Sequence, residues 1–357
     1  MSNENTITFI TRVKNDPFGP GGARRSFQLI ETLGNIPGIN VEVLFTEDYP
    51  VSTKSRPNTL PYWNELHRNF VKTQFSFDSL KEIPKTFNKN DLVIIDDPIY
   101  FTILVKKLLK KGAKLVGHLH NLESLVSANT VEEKQTRLLK TELDLLRLIG
   151  HHITISREEN WLLSNLGINN VFLPYFPSKE VLSFLSGIKK ERRTSKKKGI
   201  VVLGTFSNAP TLLGIKDLIG NYYLNELDEK FGDLKIIGFF ADRLKEQLDD
   251  ELLTRIEILS DVDNDLLKTE LAACKGTLVF QSSGAGALTK IPEMIIAGVP
   301  VIANYIAARS YLDYPGISLL NNMDELKTGN PSFNNNAYVE RPDVGDLSSM
   351  ILNIANA

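Results

Sequence analysis

The chain has 357 residues, 42% of them hydrophobic, enough for two α/β domains of ordinary size. Its formal net charge of −2 gives no bulk attraction to nucleic acid. A single cysteine, Cys274, excludes a disulfide framework and a Cys-rich metal site.

The opening MSNENT lacks a basic stretch followed by an apolar run, so no signal peptide is expected. No apolar run approaches the ~20 residues of a spanning helix. The composition reads as a soluble, reducing, cytoplasmic protein.

In chain order, strands are expected near Ile7–Thr11, Val41–Phe45, Asp91–Ile95, Lys114–Leu119, Ile153–Ser156 and Val171–Pro174. Helical patterns lie between them near Arg24–Gly34, Tyr100–Lys111, Val131–Leu148 and Arg157–Leu166. Thr130 with Glu133, and Ser156 with Glu159, have capping-box spacing. Strands alternating with helices at this interval imply a mainly parallel sheet covered on both faces.

The run from Lys189 to Lys198 then carries seven cations, one acid and no apolar residue. Residues 181–198 therefore read as a basic linker or surface loop. Such a run can also attract anionic lipid, a route to peripheral membrane contact.

Alternation restarts with strands near Gly199–Gly204, Leu234–Gly238, Ile256–Leu259, Gly276–Phe280, Pro300–Asn304 and Gly316–Leu320. Helices are expected near Thr211–Tyr222, Ala241–Leu253, Asp265–Ala273 and Lys290–Ala297, with Cys274 read as helical; a last one follows Asp343 or Asp346. The fold class is α/β, with two doubly wound Rossmann-like halves, 1–180 and 199–340. The helix in 341–357 is expected to pack back on the first half.

Ligands of doubly wound sheets bind beyond the carboxyl ends of the strands, so the loops after strands hold the candidates. After the first strand, Gly21 and Gly22 permit close backbone approach and open a helix whose free amides suit an anion. Arg24 beyond them suits an anionic acceptor or a solvated surface. After the fourth strand, Gly117-His-Leu-His-Asn-Leu-Glu123 holds two of the five histidines. His120 lies nearer the strand end than His118 and suits hydrogen bonding or proton transfer. A zinc site would need a third ligand beside the two histidines; Glu123 is the candidate, with nothing else in the sequence to support it.

Asp97, after the third strand, is a candidate for acceptor hydroxyls. Gly204, Thr205 and Asn208 offer a glycine, a hydroxyl and an amide at the start of the second half. The run Asp261-Val-Asp-Asn-Asp265 starts like a calcium loop, but Leu266 and Ala272 replace the required glycine and glutamate. Asp263 or Asp265 more simply caps a helix.

The richest loop is Ser282-Ser-Gly-Ala-Gly-Ala-Leu-Thr-Lys-Ile-Pro-Glu293. Pro292 must sit in the first helical turn, because an interior proline costs ~3 kcal/mol. The amides around Gly286 and Ala287, the Ser283 hydroxyl and the Lys290 charge then suit a diphosphate. Glu293 can accept ribose hydroxyls or simply favour the helix dipole.

The pattern Gly286, Lys290, Glu293, Gly298, Pro300, Val301 resembles the motif of group 1, GT4-like glycosyltransferases of the GT-B fold. HNLE around His120, the stretch from Ile155 to Phe176 and the Gly204 loop fall in the family's order. The resemblance implies sugar transfer from a UDP- or GDP-linked donor to a saccharide or lipid-linked acceptor, with retention. It also implies a nucleotide-sugar domain in the second half and an acceptor-side domain in the first.

By the same resemblance Glu293 binds ribose. Gly286, Ala287 and Lys290 hold the diphosphate, His120 sits beside the transferred sugar, and Gly21 and Gly22 contact the donor. No cofactor, metal or nucleic-acid partner is implied. Two departures stand out: Ala285 occupies the family's other glutamate position, and Thr205 and Leu213 replace a basic pair. They keep open a non-catalytic GT-B partner, beside a GT-B sugar-nucleotide 2-epimerase.

Overall fold

The computed structural model describes residues 5–12, 16–46, 83–126, 132–321, 324–328 and 337–357. The first half contains β1 (Asn5–Thr11), α1 (Gly21–Gly34), β2 (Ile39–Phe45), β3 (Leu92–Asp96), α2 (Thr102–Lys111) and β4 (Lys114–His118). It continues through α3 (Glu123–Val126), α4 (Glu132–Ile149), β5 (His151–Thr154), α5 (Arg157–Asn165) and β6 (Asn169–Phe172). These strands form one parallel six-stranded sheet in the order β2-β1-β3-β4-β5-β6.

Next come α6 (Lys179–Arg192), β7 (Lys198–Thr205), α7 (Ala209–Leu224), α8 (Leu227–Phe231), β8 (Leu234–Phe239), α9 (Asp250–Arg255) and β9 (Ile256–Ser260). Then follow α10 (Asn264–Ala273), β10 (Cys274–Val279), α11 (Lys290–Ile296), β11 (Val301–Asn304) and α12 (Tyr305–Ala308). The chain ends with β12 (Ile317–Leu320), α13 (Asp324–Thr328) and α14 (Gly345–Asn356). The second sheet is also parallel and six-stranded, in the order β12-β11-β10-β7-β8-β9.

Period-two alternation along the strands builds a core on each face of both sheets. In β1, Ile7 and Phe9 join Leu29 and Leu33 of α1, while Ile10 faces Leu104, Val105 and Leu108 of α2. Leu347 and Ile351 of α14 lie in the Ile7–Phe9 cluster, so the last helix covers the first sheet. Burying each such side chain is worth ~1.5–3 kcal/mol.

The first sheet reverses direction between β1 and β3, the second between β7 and β10. Crevices at such reversals are where doubly wound sheets hold ligands.

Several local expectations need correction. Residues 181–198 are largely helix: Val181, Leu185 and Ile188 pack on the second sheet at i, i+4, i+7 spacing. Two cations of the basic run are structural. Arg192 donates to the carbonyls of Gly298 and Cys274 at 2.9 Å each, and Lys197 to that of Ala272 at 2.8 Å. They satisfy carbonyls left open at the end of α10 and just beyond α11.

The helix expected over Ala241–Leu253 is a 3₁₀ segment, Ala241–Glu246, and then α9. The break falls where Asp249 takes an extended N-cap conformation. Cys274 is not inside a helix: it is the extended C-cap of α10 and opens β10.

Ser156 does cap α5, accepting from the Glu159 N–H at 3.3 Å. The Glu159 carboxylate does not close the capping box; it reaches other amides. Asp263 caps α10 through the Leu266 N–H at 2.8 Å. The box at Thr130 and Glu133 lies outside the described side chains. Among the described residues, no helix is long and apolar enough to cross a membrane.

Candidate active site

The loops at the two reversals face each other across a cavity of about 820 Å³. On the first-sheet side, the loop after β1 turns through Asp16–Gly19 and enters α1, whose N-terminus carries no side-chain cap. Gly21 and Gly22 line the cavity. A Cβ on Gly22 would lie 2.9 Å from Nδ1 of His120, so only glycine admits the imidazole there. A Cβ on Gly21 would meet Thr289 of the opposite wall at 3.2 Å.

His120 is clamped by two carboxylates, with Nε2 2.9 Å from Asp96 Oδ1 and Nδ1 3.0 Å from Asp97 Oδ2. Burial opposes charge on the ring, but Asp97 and Asp96 prevail and push His120 up to about 10. The ring is thus a cation with both N–H groups directed at carboxylates. His118 lies deeper, 2.7 Å from Asp96 Oδ1, and burial drives it down to about 4, so it is neutral. Burial would raise Asp96, but His120 and the imidazole hydrogen bonds hold it well below the usual carboxylate range. Its other oxygen accepts from Thr11 and Ser26 hydroxyls at 2.7 Å.

Asp96, His118 and His120 present ligand atoms within 4.8 Å of one another. Donors of a tetrahedral zinc site stand about 3.4 Å apart. The 2.7 and 2.9 Å contacts here are those of a proton-sharing cluster. Asp97, with φ at 50°, is buried and engaged by His120 and by Arg12 at 3.7 Å.

On the second-sheet side, Gly204, Thr205 and Asn208 line the cavity after β7. Backbone contact is tight here, since a Cβ on Gly238 would fall 1.9 Å from the Gly204 carbonyl. The loop after β10 uses left-handed backbone at Gly284 and Gly286. Arg309 fixes it, donating to the Gly286 carbonyl at 2.8 Å, the Gln281 side chain at 2.7 Å, and the Ala285 carbonyl. Ala287 lines the cavity. The Gly286 amide is directed instead to Glu159 Oε1 at 3.0 Å. Ser283 holds its hydroxyl buried, with no hydrogen-bond partner among the described residues.

Pro292 falls in the first turn of α11, as its ring requires. Lys290 donates to the Leu203 carbonyl at 2.6 Å. Burial lowers its ammonium to about 8, against the pull of Glu293. Glu293 is only 3% exposed. It accepts the Tyr175 hydroxyl at 2.6 Å and pairs with Arg24, both from the first half.

Sequence reasoning singled out neither Arg309, Tyr175 and Arg12 nor the bridging role of Glu159. Arg12 stacks 3.5 Å over the Tyr100 ring, beside Glu123, at the first-half end of the cavity. Burial, with Asp97 and Glu142, pushes Glu123 up to about 7. Arg309 and Arg12 carry no motif; Glu159 was legible only as a capping-box residue, Tyr175 only within the Ile155–Phe176 stretch, and Glu123 only within GHLHNLE.

No protein-family model matches the sequence, and no curated protein matches it. Solved structures do. The sucrose-phosphate synthase of Thermosynechococcus elongatus aligns with TM-score 0.60 at 15% identity, over 99% of this chain and 90% of its own. Anabaena HepE in complex with UDP aligns with TM-score 0.54 at 13% identity, over 91% of this chain and 88% of its own. The UDP-forming α,α-trehalose-phosphate synthase of Burkholderia vietnamiensis gives 0.55 at 10% identity, over 91% and 88%. With two parallel six-stranded sheets facing across one cavity, the chain has the two-domain GT-B fold of these glycosyltransferases.

Proposed function

We propose that the protein is a glycosyltransferase, moving a sugar from a UDP- or GDP-linked donor to a saccharide or lipid-linked acceptor. One observation carries this reading. The uncapped start of α1, the His120 cation, Lys290 and Glu293 converge on a single cavity between the two strand reversals. Similar structures hold UDP, UDP with glucose, and UDP-glucose.

In this reading the Gly21–Gly22 amides and Lys290 hold the diphosphate, and Glu293 takes the ribose. Ala287, Gly204, Thr205 and Asn208 line the donor side. Asp97 serves the acceptor side through His120 and Arg12. As the C1–phosphate bond breaks, negative charge grows on the leaving diphosphate. Fixed amides, Lys290 and the His120 cation stabilise it without reorganising. The acceptor oxygen bonds to C1, and its proton passes to a leaving phosphate oxygen. His120 acts here as a fixed charge, neither base nor donor to the substrate, because both its N–H groups are engaged by Asp96 and Asp97.

Ala285 stands where the resembled family has its other glutamate, lines the cavity, and offers the sugar no carboxylate. Retention would therefore rest on same-face attack guided by the leaving group. We assign the protein to cytoplasmic synthesis of a polysaccharide or lipid-linked oligosaccharide. The exposed remainder of the basic run would give peripheral contact with anionic membrane.

Thermal-shift screening with UDP-, GDP-, ADP- and dTDP-sugars tests the donor site; no stabilisation by any of them refutes it. The closed state of Glu293 favours a second reading, a non-catalytic GT-B partner. Donor hydrolysis or transfer by the purified protein rejects that one.

A further inference from the structure

Both oxygens of Glu293 are occupied from the opposite domain. Tyr175 donates to Oε1 at 2.6 Å and Arg24 Nη1 donates to Oε2, across 118 and 269 residues of sequence. Arg24 is itself steered by the Gly19 carbonyl at 2.8 Å and the Phe18 carbonyl at 3.2 Å. It therefore lies between the glycine turn that opens α1 and the carboxylate on α11. Lys290, three residues before Glu293, directs one of its three ammonium N–H bonds to the Leu203 carbonyl and leaves that carboxylate to Tyr175 and Arg24.

A carboxylate has lone pairs for more than two donors, but access is the obstacle. The Glu293 side chain is 4% exposed. A diol reaches it only when Arg24 withdraws.

We propose that Arg24 is an exchange residue that makes the site selective for nucleoside diphosphates: ribose hydroxyls replace it at Glu293, and its guanidinium turns onto the diphosphate at Gly21–Gly22. This rests on the donor-site reading above. A nucleoside must break the Arg24–Glu293 pair and offers nothing in return. A nucleoside diphosphate gives the guanidinium a bidentate anionic partner only a side-chain rotation away. Tyr175 holds Glu293 but, as a neutral phenol, has no part in reading the diphosphate.

Calorimetric titration of the full chain with uridine and UDP, and with guanosine and GDP in parallel, tests this. Arg24→Gln should bind the nucleoside about tenfold more tightly and lose at least about tenfold of the diphosphate-over-nucleoside preference. Tyr175→Phe should tighten both ligands and leave the preference unchanged. Arg24→Lys should keep part of the preference.

An unchanged preference in Arg24→Gln, or equal weakening of both ligands, overturns the exchange. If Arg24→Gln does not fold, Arg24→Lys decides: full wild-type preference there overturns it. Wild-type protein that binds neither UDP nor GDP instead removes the donor site itself, a distinguishable result.

Discussion

Glu159 Oε1 accepts the backbone N–H of Gly286 at 3.0 Å and that of Leu122 at 2.7 Å. One carboxylate oxygen thus ties the first domain to the glycine loop of the second. Its other oxygen is buried without a partner among the described residues. Burial pushes Glu159 up to about 7, the two amides pulling the other way.

Glu159→Ala should therefore destabilise the protein by ~2–4 kcal/mol, because two buried N–H groups lose their acceptor. Glu159→Gln keeps a carbonyl and should cost under ~1 kcal/mol. Chemical denaturation separates them; equal losses would contradict the bridge. The raised carboxyl also sets a sign. Its contribution to stability is full below pH 4.5 and is lost as pH rises through about 7. Glu159→Gln should remove that slope.

The His120 clamp predicts the behaviour of a raised base. Its stabilisation is full below the ordinary value of 6.5 and disappears as pH rises through about 10. Nitrogen-detected NMR should find the ring doubly protonated at pH 8. A neutral ring at that pH would remove His120 as a fixed cation. Asp97→Asn should bring the titration down toward neutrality.

Gly22 tests the same imidazole from the other side. An alanine Cβ there would sit 2.9 Å from Nδ1, and the ring cannot swing away without leaving Asp96 and Asp97. Gly22→Ala should reduce turnover by about a hundredfold, the scale of a misplaced catalytic group. UDP affinity should fall far less. Full activity would place the transferred sugar away from His120.

Lys290 carries a charge sensitive to mildly alkaline pH. Free of ligand, its ammonium titrates at about 8. UDP affinity should weaken as pH rises above that value, while uridine affinity stays level. Lys290→Met should cost UDP ~1.5–3 kcal/mol, the worth of a charged hydrogen bond, and flatten the pH dependence. Equal losses for UDP and uridine would move the diphosphate off Lys290.

The sequence by itself determined the order of strands and helices, because side-chain alternation and capping are local. Ile7, Phe9 and Ile10 mark both faces of β1 within a few residues. Pro292 and Gly298 likewise bound α11 without outside help. Local reading failed where strong charge masked a weaker period. Val181, Leu185 and Ile188 signal a helix, but the cations that follow read as a linker.

Only the tertiary structure decided what each site residue meets. Glu293 was legible as a carboxylate near a helix start, but not that Arg24 and Tyr175 enclose it. His120 was legible as a histidine at a strand end, but not as a cation, because Asp96 and Asp97 arrive from a different strand and its loop. Charge state depends on burial and on partners brought together by folding, and sequence spacing carries neither.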